Sequence, residues 1–102
     1  MADAPVYIIA NFDVEDAGRY HESEKGFFPI LKAHQGQLIT NDDHAETLDG
    51  KTPQTGRVVI FSFPSEEAAK RWYQSPNHQA LAEHRRAGTR LEFITLVHGL
   101  PP

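Results

Sequence analysis

Four consecutive apolar residues, Val58-Val59-Ile60-Phe61, lie inside the segment RVVIFSF at residues 57–63, and they narrow the folds open to this chain. β-Branched and aromatic residues in such a run favour extended backbone. Successive side chains of a strand point to opposite faces, so an unbroken apolar run makes both faces apolar. Val6-Tyr7-Ile8-Ile9 repeats the pattern near the start. A sheet with two apolar faces needs two covers. The helical segments of a 102-residue chain supply one. A second copy packed sheet to sheet is the economical source of the other, so a homodimer is expected.

The remaining segments arrange themselves around these strands. Residues 5–13, PVYIIANFD, read as the first strand. Asp16 is an N-cap, and Tyr20, Glu24, Phe27, Leu31 and His34 recur at helical spacing. Gly36 suits the C′ position of a helix ending near Gln35, and Pro29 predicts a kink within it. Gln37–Asn41 reads as a second strand, Asn41-Asp42-Asp43 as a turn, and Ala45–Leu48 as a short return strand closed by Asp49-Gly50. KTPQTG at 51–56 is loop.

After the strand at 57–63, Ser65 caps a helix with Glu66 and Glu67 in its first turn, where acids meet the positive end of the helix dipole. Ser75-Pro76 repeats that grammar, with Ser as N-cap and Pro at the first helical position. Trp72 and Tyr73 therefore sit on the last turn before a corner between two helices. The second of these ends at Arg85-Arg86 and Gly88, a last strand spans Thr89–His98, and the tail GLPP is read as loose. The order β-α-β-(β)-β-α-α-β, with the chain as one domain over 1–102, predicts an α+β ferredoxin-like split β-α-β sandwich with an antiparallel sheet.

Composition removes several classes of function. Net charge is −4 without a basic stripe, which argues against nucleic acid and anionic membrane as partners. There is no cysteine, so disulfides, thiol catalysis and zinc–sulfur sites are excluded. The N-terminus has no basic stretch before its apolar run, and that run is broken by Asn11 and Asp13, so neither signal peptide nor membrane span is expected and the location is read as cytoplasmic. No G-x-S-x-G, P-loop or G-x-G-x-x-G occurs, and no cofactor is called for.

The segments YIIANFDV, AHQGQLIT, LDG and RVVIFSFPSEEAAKRWYQSP, with the helix ending in Arg85-Arg86, resemble the DUF1330 family over nearly the whole chain. That family has no assigned reaction and falls within the dimeric α/β-barrel, ferredoxin-like superfamily. Two departures stand out: Gln35 replaces the first glycine after His34, and the hairpin tip is Asn41-Asp42-Asp43-His44 rather than glycine-rich. The resemblance implies sheet-to-sheet dimers with a space for a small ligand between helices and sheet.

Individual residues are weighed against plainer roles. His21 with Glu24, and His44 with Glu46, share a face in pairs, but neither has an evident third ligand, so no metal site is expected. His34 ends the inward stripe of the first helix: it either bonds a backbone carbonyl of its own last turn or acts as a ligand or acid–base group. Arg57 either pairs with an acid across the dimer or reaches into a pocket for a carboxylate. Arg85 and Arg86 are capping charges, or one of them anchors an anion. Trp72 packs a corner or walls a pocket.

Three functions follow from these readings. The first is a small-molecule-binding protein that takes an apolar or aromatic acid in a sheet–helix pocket bordered by Tyr20, His34, Arg57, Trp72 and Arg85. The second is a cofactor-free enzyme, monooxygenase- or isomerase-like, with His34 as its candidate catalytic acid–base. The third is a structural domain without a ligand.

Overall fold

The computed structural model describes residues 4–52 and 55–100. The first strand, β1 (Val6–Val14), is followed by helix α1 (Ala17–Ala33), strands β2 (Gln37–Asp42) and β3 (Arg57–Phe63), helices α2 (Glu66–Gln74) and α3 (Pro76–Gly88), and strand β4 (Thr89–His98). The four strands pair antiparallel in the order β2-β3-β1-β4. This is the ferredoxin-like α+β arrangement, with helices on one side of the sheet.

Register explains the alternation. Val6, Ile8, Ala10 and Phe12 of β1 stand opposite Phe63, Phe61, Val59 and Arg57 of β3. The apolar members of this set are buried beneath the helices. The other face carries Tyr7, Ile9, Val58, Ile60 and Val97, which remain half-buried, together with exposed Phe93. A buried aromatic cluster fills one end of the helix-covered side. Trp72, 2% exposed, has its ring 5.1 Å from Phe61 and 5.4 Å from Phe63.

Two expectations are corrected. Residues 45–48 form no return strand: Leu48 is 92% exposed and has no core to enter, so the chain crosses from β2 to β3 as loop. Of that loop, Pro53 and Gln54 lie outside the described residues, as do Met1–Asp3 and the two final prolines of the tail. Second, α1 ends at Ala33, with His34 as its cap and Gln35 in the left-handed conformation at φ 66°. The Gln35 and Gly36 N–H groups donate to Lys32 and Leu31 carbonyls at 3.0 and 2.8 Å, a Schellman closure with Gln35 at C′ and Gly36 one place beyond. Gly36 is needed for a different reason: a Cβ there would collide with Leu31 and Phe63. Pro29 lies inside α1, which runs from Ala17 to Ala33.

The corner after Trp72 rests on one hydroxyl. Ser75 Oγ donates to the Trp72 carbonyl at 3.0 Å and accepts the His78 N–H at 3.1 Å, closing α2 and opening α3 with Pro76 at its first turn. At the far end of α3, the Gly88 carbonyl accepts the N–H groups of Glu15 and Asp16 at 2.8 and 2.9 Å. A Cβ on Gly88 would lie 2.8 Å from Asp16 O and Tyr20 N, so glycine lets the end of α3 meet the start of α1. That close approach brings two wall elements of the site together.

Candidate functional site

Between α1, α3 and the helix-covered face of the sheet lies a cavity of about 100 Å³. The sheet provides its apolar floor: Ala10, Phe12, Val59, Phe61 and Ile94. Helix α1 contributes Tyr20, Ser23, Glu24, Phe27 and Phe28, the last 56% exposed. Trp72 closes one end, and α3 lays His78, Leu81, Ala82 and Arg85 along the opposite wall. Leu38 and Asn41 of β2 complete the lining.

The polar groups in this apolar space divide into satisfied and unsatisfied ones. Ser23 Oγ donates to the Tyr20 carbonyl at 2.6 Å. Arg85 has no such partner: both terminal guanidinium nitrogens are buried and make no hydrogen bond. Burial, then the neighbouring charge of Arg86, pulls its pKa below the ordinary arginine value. His78 is 6% exposed and neither ring nitrogen is bonded. Its ring is 4.1 Å from that of Trp72, whose Nε1 is also buried without a partner. Burial, with Arg85, Arg86 and His34 adding positive charge, lowers the His78 pKa to about 4, so the ring is neutral at neutral pH.

Of the five residues singled out from sequence, Tyr20, Trp72 and Arg85 line the cavity. Arg57 stands just behind it. It donates to Asp43 through Nε at 2.6 Å and NH2 at 3.1 Å, and its guanidinium lies 5.1 Å from the centre of the Tyr20 ring. Its charge is thus taken up by an acid of its own hairpin loop. That hydrogen-bonded pairing holds the Asp43 carboxyl below the usual carboxylate range, while burial pushes the Tyr20 hydroxyl up against the opposing pull of Arg57. His34 is not among the lining residues: as the cap of α1 its Nδ1 lies 3.0 Å from the Ile30 carbonyl, which its ring N–H can use as an acceptor. Arg86 turns outward to Gln79 at 2.9 Å and Glu83 at 3.4 Å, so Arg85 is the arginine that faces the pocket.

His78 was not singled out from sequence. The usable signal is the α3 stripe His78, Leu81, Ala82, Arg85, which recurs at helical spacing. Asn41, read from sequence as the end of the second strand and the start of a turn, is the penultimate residue of β2, pairs with Val59 and lines the cavity. Among the described residues no group of three metal-ligating side chains occurs, and no helix is long and apolar enough to cross a membrane.

No curated protein matches the sequence. Solved structures share its fold at low identity. A Rhodopseudomonas palustris protein of unknown function, RPA0582, is 16% identical with a TM-score of 0.75, covering 98% of this chain and 85% of its own. SnoaB from Streptomyces nogalater, a cofactor-independent oxygenase, is 20% identical with a TM-score of 0.62 and coverages of 97% and 96%. A DABB-family protein with a ferredoxin-like fold from Mesorhizobium loti is 13% identical with a TM-score of 0.55 and coverages of 98% and 99%. The family model for the domain of unknown function DUF1330 matches residues 5–100, and the chain belongs to that family.

Proposed function

We propose that this protein binds a small apolar or aromatic acid in the sheet–helix cavity, with the anionic group on Arg85 and the apolar body against Trp72, Phe27 and Phe61. The observation that carries this reading is the buried, unbonded guanidinium of Arg85. Arginine stays charged in proteins, and a buried charge without a partner is costly. A carboxylate offers it two parallel charge-assisted hydrogen bonds. The aromatic and aliphatic lining supplies the apolar contact that a small ligand needs. Benzoate should raise the melting temperature of the wild type, and Arg85→Ala should lose that shift while staying folded. A shift of equal size in Arg85→Ala would move the site elsewhere, and no shift with any aryl or alkyl acid would favour a domain without a ligand.

A second reading, a cofactor-free enzyme, draws on one of the fold neighbours, a cofactor-independent oxygenase. In this chain its acid–base group would be His78, which lines the cavity, rather than His34, which does not. Turnover of a hydroxyaromatic acid that disappears in His78→Phe would establish it; binding without turnover would leave the first reading in place.

The protein is further inferred to act in the cytoplasm as a homodimer through the open face of the sheet, where Tyr7, Ile9, Val58 and Ile60 leave apolar surface uncovered by the helices. Ile60→Asp should then shift the sedimenting species to monomer and lower stability with it. A wild type that sediments as a monomer at micromolar concentration would contradict this.

A further inference from the structure

The helix-covered face of the sheet carries a second hollow, a groove of about 210 Å³ between α2 and the β1–β4 pair. Ile8, Ala69, Tyr73, Gln74 and Leu96 line it, and Ile94 lines both it and the inner cavity. Register places the two spaces in succession. Ile94 stands opposite Ala10, which lines the cavity, and Leu96 stands opposite Ile8, which lines the groove. One two-residue step along a strand, about 7 Å, leads from one to the other. The opposite wall is continuous as well: Trp72 lines the cavity and its neighbour Tyr73 lines the groove, their rings 6.1 Å apart. Ile94 and Leu96 remain only half-buried although they point to the covered face, so α2 leaves apolar surface of the core side unfilled. The cation of the groove, Lys70, is occupied by Glu66 at 3.4 Å, whereas Arg85 in the cavity has no hydrogen-bond partner.

We propose that cavity and groove are two compartments of one elongated site, and that Ile94 is the residue that sets how far a bound acid extends. This rests on the reading of Arg85 as the anion anchor. The acid group and its ring occupy the inner cavity, and an apolar tail passes Ile94 into the groove beneath Tyr73. The substrate class is therefore an aryl acid with an alkyl or second-ring extension, rather than a single-ring acid alone.

Titration with benzoate and 4-alkylbenzoates from methyl to butyl tests this. In the wild type each added methylene should tighten Kd about four-fold, the free energy of moving one methylene out of water. Gln74→Trp fills the groove from its exposed rim; it should abolish the gain from longer chains and leave benzoate affinity unchanged. Ile94→Trp should likewise abolish the gain from longer chains by blocking the partition, and Gln74→Trp keeps the test valid if the change at Ile94 does not fold. Affinity independent of chain length in the wild type overturns the proposal, and so does chain-length dependence that survives Gln74→Trp. The matching 4-alkylbenzyl alcohols separate the two readings: if they bind as tightly as the acids with the same dependence on length, the groove stands and the Arg85 anchor falls.

Discussion

Two arginines flank Tyr20, and their surroundings differ. Arg57 stands at the start of β3, where it pairs in bidentate fashion with Asp43 and lies over the Tyr20 ring. Arg85 stands on α3, with its charged end buried and unbonded beside a neutral His78. One region has closed its electrostatics within the chain. The other has left a cation, an imidazole and an indole N–H without partners around an apolar hollow. Desolvated, unpaired polar groups lower stability, and this is the ground for the ligand proposed here. An arginine's position in sequence says less than whether its own chain already answers its charge.

The comparison can be broken most forcefully through pH. The His78 pKa falls from the ordinary 6.5 to about 4 on folding. The folded state thus binds fewer protons than the unfolded chain between these values, and its contribution is full above about 6.5 and lost as pH falls toward 4. The loss between pH 7.5 and pH 4.5 should be about 2.5 kcal/mol, and urea unfolding at these two values measures it. His78→Phe keeps the stack on Trp72 and should flatten that dependence. A profile unchanged by His78→Phe would mean that the α3 wall is not the acid-sensitive region.

Next in size is the response to losing each charge. Arg85→Met removes a buried unpaired cation from an apolar wall and should stabilise the ligand-free protein by about 2 kcal/mol. Arg57→Met should instead cost about 1 kcal/mol, since it strands Asp43, whose exposure limits the loss. Opposite signs in thermal unfolding sharpen the contrast; the same sign for both would erase it. A smaller effect isolates the wall from the hairpin. Ser75→Ala removes the hydroxyl that caps α3 ahead of His78 and should cost about 1 kcal/mol. Hydrogen exchange should rise at the start of α3 and stay unchanged at Arg57. At the low end, Gln35→Gly relieves a side chain from left-handed backbone and should add somewhat under 1 kcal/mol without touching either arginine.

Much of the fold was legible because its signals are local. The strands at 6–14 and 57–63, the Ser65 and Ser75 caps and the Pro76 start all follow from short-range chemistry, and each stands in the structure. The absent return strand at 45–48 shows where local reading fails: strand formation needs a face to bury, and Leu48 has none. Gln35 at C′ shows the same at finer scale. Gly36 beside it is reserved for contact with Leu31 and Phe63, so the left-handed position falls to a residue that tolerates it less well. The site was legible in part. Helical spacing carries Tyr20 inward and the Ser75-Pro76 break places Trp72 at a corner, whereas the Arg57–Asp43 pair depends on a loop whose course no periodicity records. His78 and Arg85 share a stripe of α3, but only the packed structure shows that their nitrogens are buried and unbonded.

On the proposed reading, the unanswered charge of Arg85 receives the anionic group of a ligand. Isothermal titration of benzoate and 4-butylbenzoate into wild type, Arg57→Met and Arg85→Met tests it most directly. Binding of similar affinity to wild type and Arg57→Met is expected, with a loss of at least about ten-fold in Arg85→Met, the worth of one charge-assisted hydrogen bond. Arg85→Met that binds both acids as tightly as the wild type, or Arg57→Met that alone loses them, would contradict it.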